Sequence, residues 1–246
     1  MKLPVLLKTL RKLALAAASP RLRDGLLRHG VLAGTEHRQV FSRHLNTVVD
    51  VGGNRGQFAL AARGGLPQAQ IISFEPLPEP AAVYRSVFAG DSQAILYQNA
   101  IGPSAELRRM HVSARDDSSS LLQISDIQES HFPGTHAVDS EDVQVAPLSQ
   151  FLAPGNLVRP ALLKLDVQGF EFEALLGCES LLHCFDLIYC ECSFVELYTG
   201  QKLTAQIIDW LSSRGFELIG VYNLEYDGMG QAIQADFLFR PRTINA

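Results

Sequence analysis

The chain has 246 residues, 47% of them hydrophobic and 19% charged, with a formal net charge of -5. This is the composition of a folded protein, and no apolar run approaches the roughly 18 residues that cross a bilayer, which excludes a disordered chain and a helical membrane protein. Residues 1–44 hold nine Lys/Arg against two Asp/Glu, while the remainder holds 12 against 24. An acidic body of this kind excludes a nucleic-acid substrate held along a basic track.

Leu3, Leu6, Leu7, Leu10, Leu13, Ala14 and Ala17 recur at helical spacing, with Lys8, Arg11 and Lys12 on the other side. They predict a basic amphipathic helix in an N-terminal arm, residues 1–45. Its apolar face suits packing on the body, a second copy in a homodimer, or peripheral contact with anionic lipid at the inner membrane surface. The LALAAA stretch is too short for a secretory signal, so a cytoplasmic location is expected. A second helix is predicted over Leu22–Leu32, and the segment from Val31 to Leu45 reads as a connector.

From Thr47 the pattern changes to strand, glycine turn and helix. Thr47–Val51 is apolar and β-branched, as suits a strand covered on both faces. Gly52, Gly53, Asn54 and Gly56 follow, then Phe58 and Leu60 to Ala62. Such a turn lets a ligand approach the backbone and aims a helix N-terminus at an anionic group. Asp50, two residues before the first glycine, would repel a pyrophosphate and attract an ammonium or sulfonium centre. S-adenosylmethionine carries both cations and a carboxylate. Glu75, 19 residues after Gly56 and followed by Pro76, ends the next strand, the position from which an acid accepts hydrogen bonds from ribose hydroxyls.

A helix is then predicted over about Pro80–Val87, and a third strand over Ala94–Gly102 brings Asn99 and Ala100 to its carboxyl end as candidates for the adenine edge. Residues 103–145 read as an insertion or lid, with an exposed strand at LRRMHVSA and a polar loop over Gln123–Ser140 carrying His131 and His136. VQVAPLSQFL supplies a short strand and helix cap. In Ala161–Gly177 a strand again runs into an acid, Asp166, then Gly169 and a helix; Lys164 shares the strand face with Asp166. Phe185–Phe194 predicts a fifth strand ending near Glu191. Cys178, Cys184, Cys190 and Cys192 lack zinc-site spacing and read as buried thiols. A helix at LTAQIIDWLSSRGF and a terminal antiparallel pair complete the chain. The predicted fold is a Rossmann-like α/β domain over residues 46–246: a mostly parallel seven-stranded sheet with a terminal antiparallel strand and helices on both faces.

VVDVGGNRG, SFEP, NAIG, DSSSLL, LLKLDVQGFEFEALLG, ECSFVELYTG, RGFELIGVYN and QADFLF occur in this order, and together they resemble the FkbM-type family of class I S-adenosylmethionine-dependent methyltransferases. The resemblance implies O-methylation of a hydroxyl on a sugar, glycolipid or natural product. It places Asp50, Gly52, Gly53, Asn54 and Gly56 around the methionine part, Glu75 and Pro76 at the ribose, and Asn99 with Ala100 at the adenine. Asp166 would face the transferred methyl, as donor contact and preferred base, with Lys164 beside it and Glu191, Glu171 and the loop histidines His131 and His136 behind it as alternative bases. Gln168 departs from the acid common in the motif. An alcohol must lose its proton to become a good nucleophile, so either a general base or Mg2+ held by Asp166, Glu171 and Glu191 is required. Two rival readings are weighed. An NAD-dependent sugar oxidoreductase or epimerase lacks support, because Asn54 replaces the second glycine of its fingerprint and no Tyr-x-x-x-Lys occurs; a non-catalytic subunit of the same fold would not need Asp50, Glu75 and Asp166 intact.

Overall fold

Thr47–Val51 forms β1, buried along its whole length at the middle of the main sheet, as its uninterrupted apolar run requires. The computed structural model describes residues 19–243, so the basic helix expected over residues 1–18 lies outside the described residues. The other strands are β2 (Gln70–Phe74), β3 (Ala94–Tyr97), β4 (Ala100–Ile101), β5 (Glu106–Ser113), β6 (Ala137–Ala146), β7 (Ala161–Leu165), β8 (Leu187–Ser193), β9 (Phe216–Tyr226) and β10 (Ala232–Pro241). The helices are α1 (Pro20–His29), α2 (Arg38–Phe41), α3 (Gln57–Gly65), α4 (Pro78–Val87), α5 (Asp126–His131), α6 (Glu171–Cys178) and α7 (Thr204–Ser213).

Seven strands run in the order β3-β2-β1-β7-β8-β10-β9, with β10 antiparallel to both its neighbours and every other pair parallel. This is the Rossmann-like, mostly parallel seven-stranded sheet expected from the sequence. The chain reverses direction of travel across the sheet between β1 and β7, and ligands of open α/β sheets bind outside the carboxyl ends of the strands at such a point.

Each face has its own core. Val49, Ile72, Leu163, Ile188 and Phe237 pack under α6 and α7 through Ala174, Leu175, Ile207 and Leu211. On the opposite face Val48, Ile71, Leu162 and Leu238 meet Leu22 of α1, Phe41 of α2 and Phe58 to Ala62 of α3. That second face carries one polar row, because parallel pairing puts Ser73, Asp50, Lys164 and Tyr189 side by side on β2, β1, β7 and β8. Among the described residues no helix is long and apolar enough to cross a membrane.

The structure departs from the predicted elements where local hydrogen bonds outweigh periodicity. The third strand ends at Tyr97; Ala100–Ile101 joins a separate three-stranded sheet, β4-β6-β5, by pairing with Val145 and Ala146. Gln123–Ser140 is ordered by α5 and by β6. Ser125 caps α5, its hydroxyl accepting from the Gln128 amide, and Glu129 accepts from the Gly134 and Thr135 amides. The second helix stops at His29, because Gly30 turns into the left-handed region. The connector over Val31–Leu45 holds a 3-10 turn, Thr35–His37, and α2.

Candidate active site

The carboxyl ends of β1, β2 and β7 enclose a cavity of about 260 Å³. Gly52, Gly53, Asn54, Glu75, Pro76, Ala100, Lys164 and Asp166 line it, so most residues expected from the sequence share one wall. Asp50, Gly56, Asn99 and Glu191 do not line it.

The turn after β1 is shaped by one close approach. Gly52 has φ +83°, and a Cβ there would lie 1.8 Å from the carbonyl oxygen of Asp166. The first and fourth parallel segments of the domain therefore touch through backbone at the floor of the cavity. Gly56 serves beneath the loop, where a Cβ would come within 2.9 Å of Phe88 and 3.0 Å of Tyr84. It lets α3 settle on α4 and stands back from the cavity wall.

Asp50 also stands back from the cavity wall. It is fully buried below the loop, 2.9 Å from the Lys164 ammonium. Lys164 also donates to the Gly52 carbonyl at 2.9 Å. Burial works against a charge on Lys164, but Asp50 and Asp166 outweigh it and hold its pKa above the usual range. The pair therefore fixes the turn from below, and Asp50 reaches a ligand only through Lys164 and the loop backbone.

Glu75 ties two loops together. One carboxylate oxygen accepts from the Asn54 amide at 2.9 Å and the other from the Leu77 amide at 2.8 Å. Burial pushes its pKa up to about 7, against the pull of those two amides. Asn99 lies off the wall because the chain leaves the main sheet at this point; Ala100 turns inward with Leu77, Met110, Leu121 and Phe170 to make an apolar wall.

At the end of β7, oxygens of Asp166, Glu171 and Glu191 lie within 4.8 Å of one another. Gln168 stitches this group together. Its side-chain amide donates to Asp166 at 2.7 Å and to Glu191 at 3.2 Å, and its carbonyl oxygen accepts from the Tyr198 hydroxyl at 2.7 Å. The Gln168 backbone sits at φ +54°, a strained conformation for a side-chain-bearing residue, held by the Ser120 hydroxyl donating to its carbonyl at 2.6 Å. DSSSLL, DVQG and ECSFVELY thus meet at one residue. The amide takes the place a cation would fill between Asp166 and Glu191, while Glu171 accepts from the Val167 and Gly169 amides. Mg2+ at these three carboxylates would have to displace the Gln168 amide from Asp166 and Glu191. Burial, then the charges of Asp166, Asp236 and Glu171, push the Glu191 pKa well above the usual range.

Five polar side chains on the wall were missed: Glu36, His37, Gln57, Asp117 and Ser119. His37 enters the cavity from the 3-10 turn before α2. Its Nδ1 lies 3.1 Å from the Tyr189 hydroxyl and 3.5 Å from the Asp236 carboxylate. Asp236 also accepts from Tyr189 at 2.9 Å and from the Asn223 amide at 2.7 Å. Nothing local in ThrGluHis signals this, since its partners come from β8, β9 and β10. His131 and His136 do not line the cavity.

Residues 50–218 match the family model described as the methyltransferase FkbM domain. The chain belongs to this family. Among named proteins, it is 29% identical over 206 residues to 2-O-methyltransferase NoeI of Sinorhizobium fredii (strain NBRC 101917 / NGR234), covering 78% of this chain and 82% of that protein. It is 30% identical over 181 residues to Methyltransferase 1 of Beauveria bassiana (strain ARSEF 2860), covering 69% and 71% respectively. Among solved structures, a putative O-methyltransferase from Klebsiella pneumoniae superposes with TM-score 0.49 at 12% identity, covering 92% of this chain and 91% of that one. The FkbM match begins at Asp50 and ends at Leu218, so His37 and Asp236 both lie outside it.

Proposed function

We propose that this FkbM-family methyltransferase uses S-adenosylmethionine to methylate a hydroxyl of a sugar, whether in a glycan, a glycolipid or a natural product. The observation that carries the donor is the cradle of Gly52 and Gly53 against Asp166, bridged to β2 by Glu75. Close backbone approach admits the amino-acid part, and Glu75 retains lone pairs for a ribose diol. The Leu77, Ala100, Met110 and Phe170 wall suits a purine ring. The donor supplies a methyl group made electrophilic by the sulfonium. Asp166, beside the close approach to Gly52, provides a counter-charge for its cationic centres, and Lys164 fixes the loop that holds them. O-methylation is supported by the relative named a 2-O-methyltransferase, and the sugar class by the family resemblance.

Calorimetric titration will show binding of S-adenosylhomocysteine and none of NAD; the reverse result sinks the donor assignment. Methyl-labelled donor incubated with a panel of monosaccharide glycosides and oligosaccharides will put label on a sugar hydroxyl, read as the mass of one added methyl. Transfer only to non-sugar alcohols would remove the sugar class.

Glu75 makes donor binding pH-dependent. Ribose hydroxyls donate to the ionised carboxylate, whereas the free protein holds the proton below a pKa of about 7. Affinity for S-adenosylhomocysteine will therefore weaken as pH falls below 7, by up to about tenfold per unit. The fold itself responds with the opposite sign, because a raised carboxyl pKa contributes stability that is lost as pH rises from its unfolded value toward 7. Glu75→Gln will flatten the affinity profile. It will also lower affinity by at least about tenfold, since an amide cannot accept from both the Asn54 and Leu77 amides without presenting a donor to one of them.

A further inference from the structure

We propose that His37, held by Asp236, is the catalytic residue that takes the proton from the acceptor hydroxyl. This rests on the methyl-transfer reading above and adds a residue from outside the family-matched segment.

Strand order divides the site. From β1 toward β2 lie Glu75 and the apolar wall, which the adenosine half of the donor occupies in the proposed reading. From β1 in the other direction come β7, β8 and β10, and His37 stands over the last two, against Tyr189 and Asp236. It lines the same cavity as Lys164 and Asp166, from the side away from the adenosine. In this reading the acceptor approaches from that side.

The ring is also oriented for proton transfer. Phe58 packs against it with centroids 5.2 Å apart, and Tyr189 meets it edge-on. Nδ1 faces the Asp236 carboxylate and the Tyr189 hydroxyl, while Nε2 is at the opposite end of the ring, 3.7 Å from the Glu36 carboxylate. Burial raises the Asp236 pKa, but hydrogen bonds from His37, Asn223 and Tyr189 outweigh it and hold the group below its usual range. An ionised carboxylate at Nδ1 keeps the proton there and leaves the Nε2 lone pair available. Asp236 is thus a positioning residue.

The other candidates are already engaged. Asp166 accepts the Gln168 amide and faces Lys164 at 3.8 Å, and Glu191 accepts from the side-chain amides of Gln168 and Gln234. In the step, the acceptor O–H proton moves to His37 Nε2 as the oxygen lone pair forms the O–C bond. The C–S bond breaks, and its electron pair stays on sulfur as a thioether. The imidazolium then returns its proton to water.

The test begins with the full chain and no acceptor. Diethyl pyrocarbonate, mapped by peptide mass, is expected to modify His37 at similar rates with and without saturating S-adenosylhomocysteine. Protection by that ligand of tenfold or more would place His37 in the donor site and overturn the proposal. Nitrogen NMR of the same complex is expected to show His37 protonated at Nδ1 and bare at Nε2, a bias lost in Asp236→Asn; an Nε2-protonated ring overturns it too. With a sugar acceptor, His37→Asn and His37→Gln should each bind S-adenosylhomocysteine within threefold of the parent while turnover falls by about 100-fold or more. Turnover retained in either folded variant removes the role. Failure of the parent to bind S-adenosylhomocysteine is a failure of the donor reading. If no sugar accepts the methyl, the labelling and NMR results still decide for or against His37.

Discussion

Gly52→Ala will lower affinity for S-adenosylhomocysteine by at least about 100-fold and destabilise the fold by about 3 kcal/mol, through strain and a backbone clash together. At φ +83° a Cβ is disfavoured in any surroundings. Here it would also sit 1.8 Å from the Asp166 carbonyl oxygen, a backbone atom with no side-chain freedom to move aside. Relief requires the ends of β1 and β7 to part, which takes the turn away from both Lys164 and Asp166. Calorimetry reads the first effect and urea denaturation the second. Affinity within tenfold of the parent would show that the turn does not cradle the donor.

The second large effect is on the ion pair beneath that turn. Lys164→Met removes the cation 2.9 Å from a fully buried Asp50 and the donor to the Gly52 carbonyl. Breaking such a pair from one side costs about 3–5 kcal/mol, because the remaining carboxylate has neither water nor a counter-charge. Denaturation at pH 7 will show that loss. Asp50 already has a raised pKa from burial, and without Lys164 it rises further. A raised carboxyl pKa withdraws stability as pH rises above the unfolded value, so the variant will be closest to the parent in acid and fall further behind it as pH rises. Asp50→Asn combined with Lys164→Met will recover part of the loss, since the orphaned charge is gone. Equal stability of the single variant and the parent would mean that the pair does not hold the turn.

Much of this site was legible one residue at a time. β1 ends where its apolar run ends, and Gly52, Glu75 and Asp166 fall at the carboxyl ends of their strands because each follows an apolar run that only a buried strand satisfies. The roles of Asp50 and Lys164 were less legible. Both lie inside those runs, and which strand neighbours which decides whether an acid faces a ligand or a lysine. Gln168 read as a weakened acid; in the fold it is the amide that joins Asp166 to Glu191 and receives Tyr198.

Sequence alone determined the α/β class, the order of elements and the segments that meet at the cavity, since apolar periodicity and glycine placement are properties of neighbouring residues. Tertiary structure alone decided the departure of Ala100 into a second sheet, the burial of Asp50 under the loop and the meeting of His37 with Asp236. These depend on pairing between strands far apart in the chain. A histidine in a short 3-10 turn has no local pattern to mark it; it acquires a defined direction only when β8, β9 and β10 bring Tyr189, Asn223 and Asp236 against one edge of its ring.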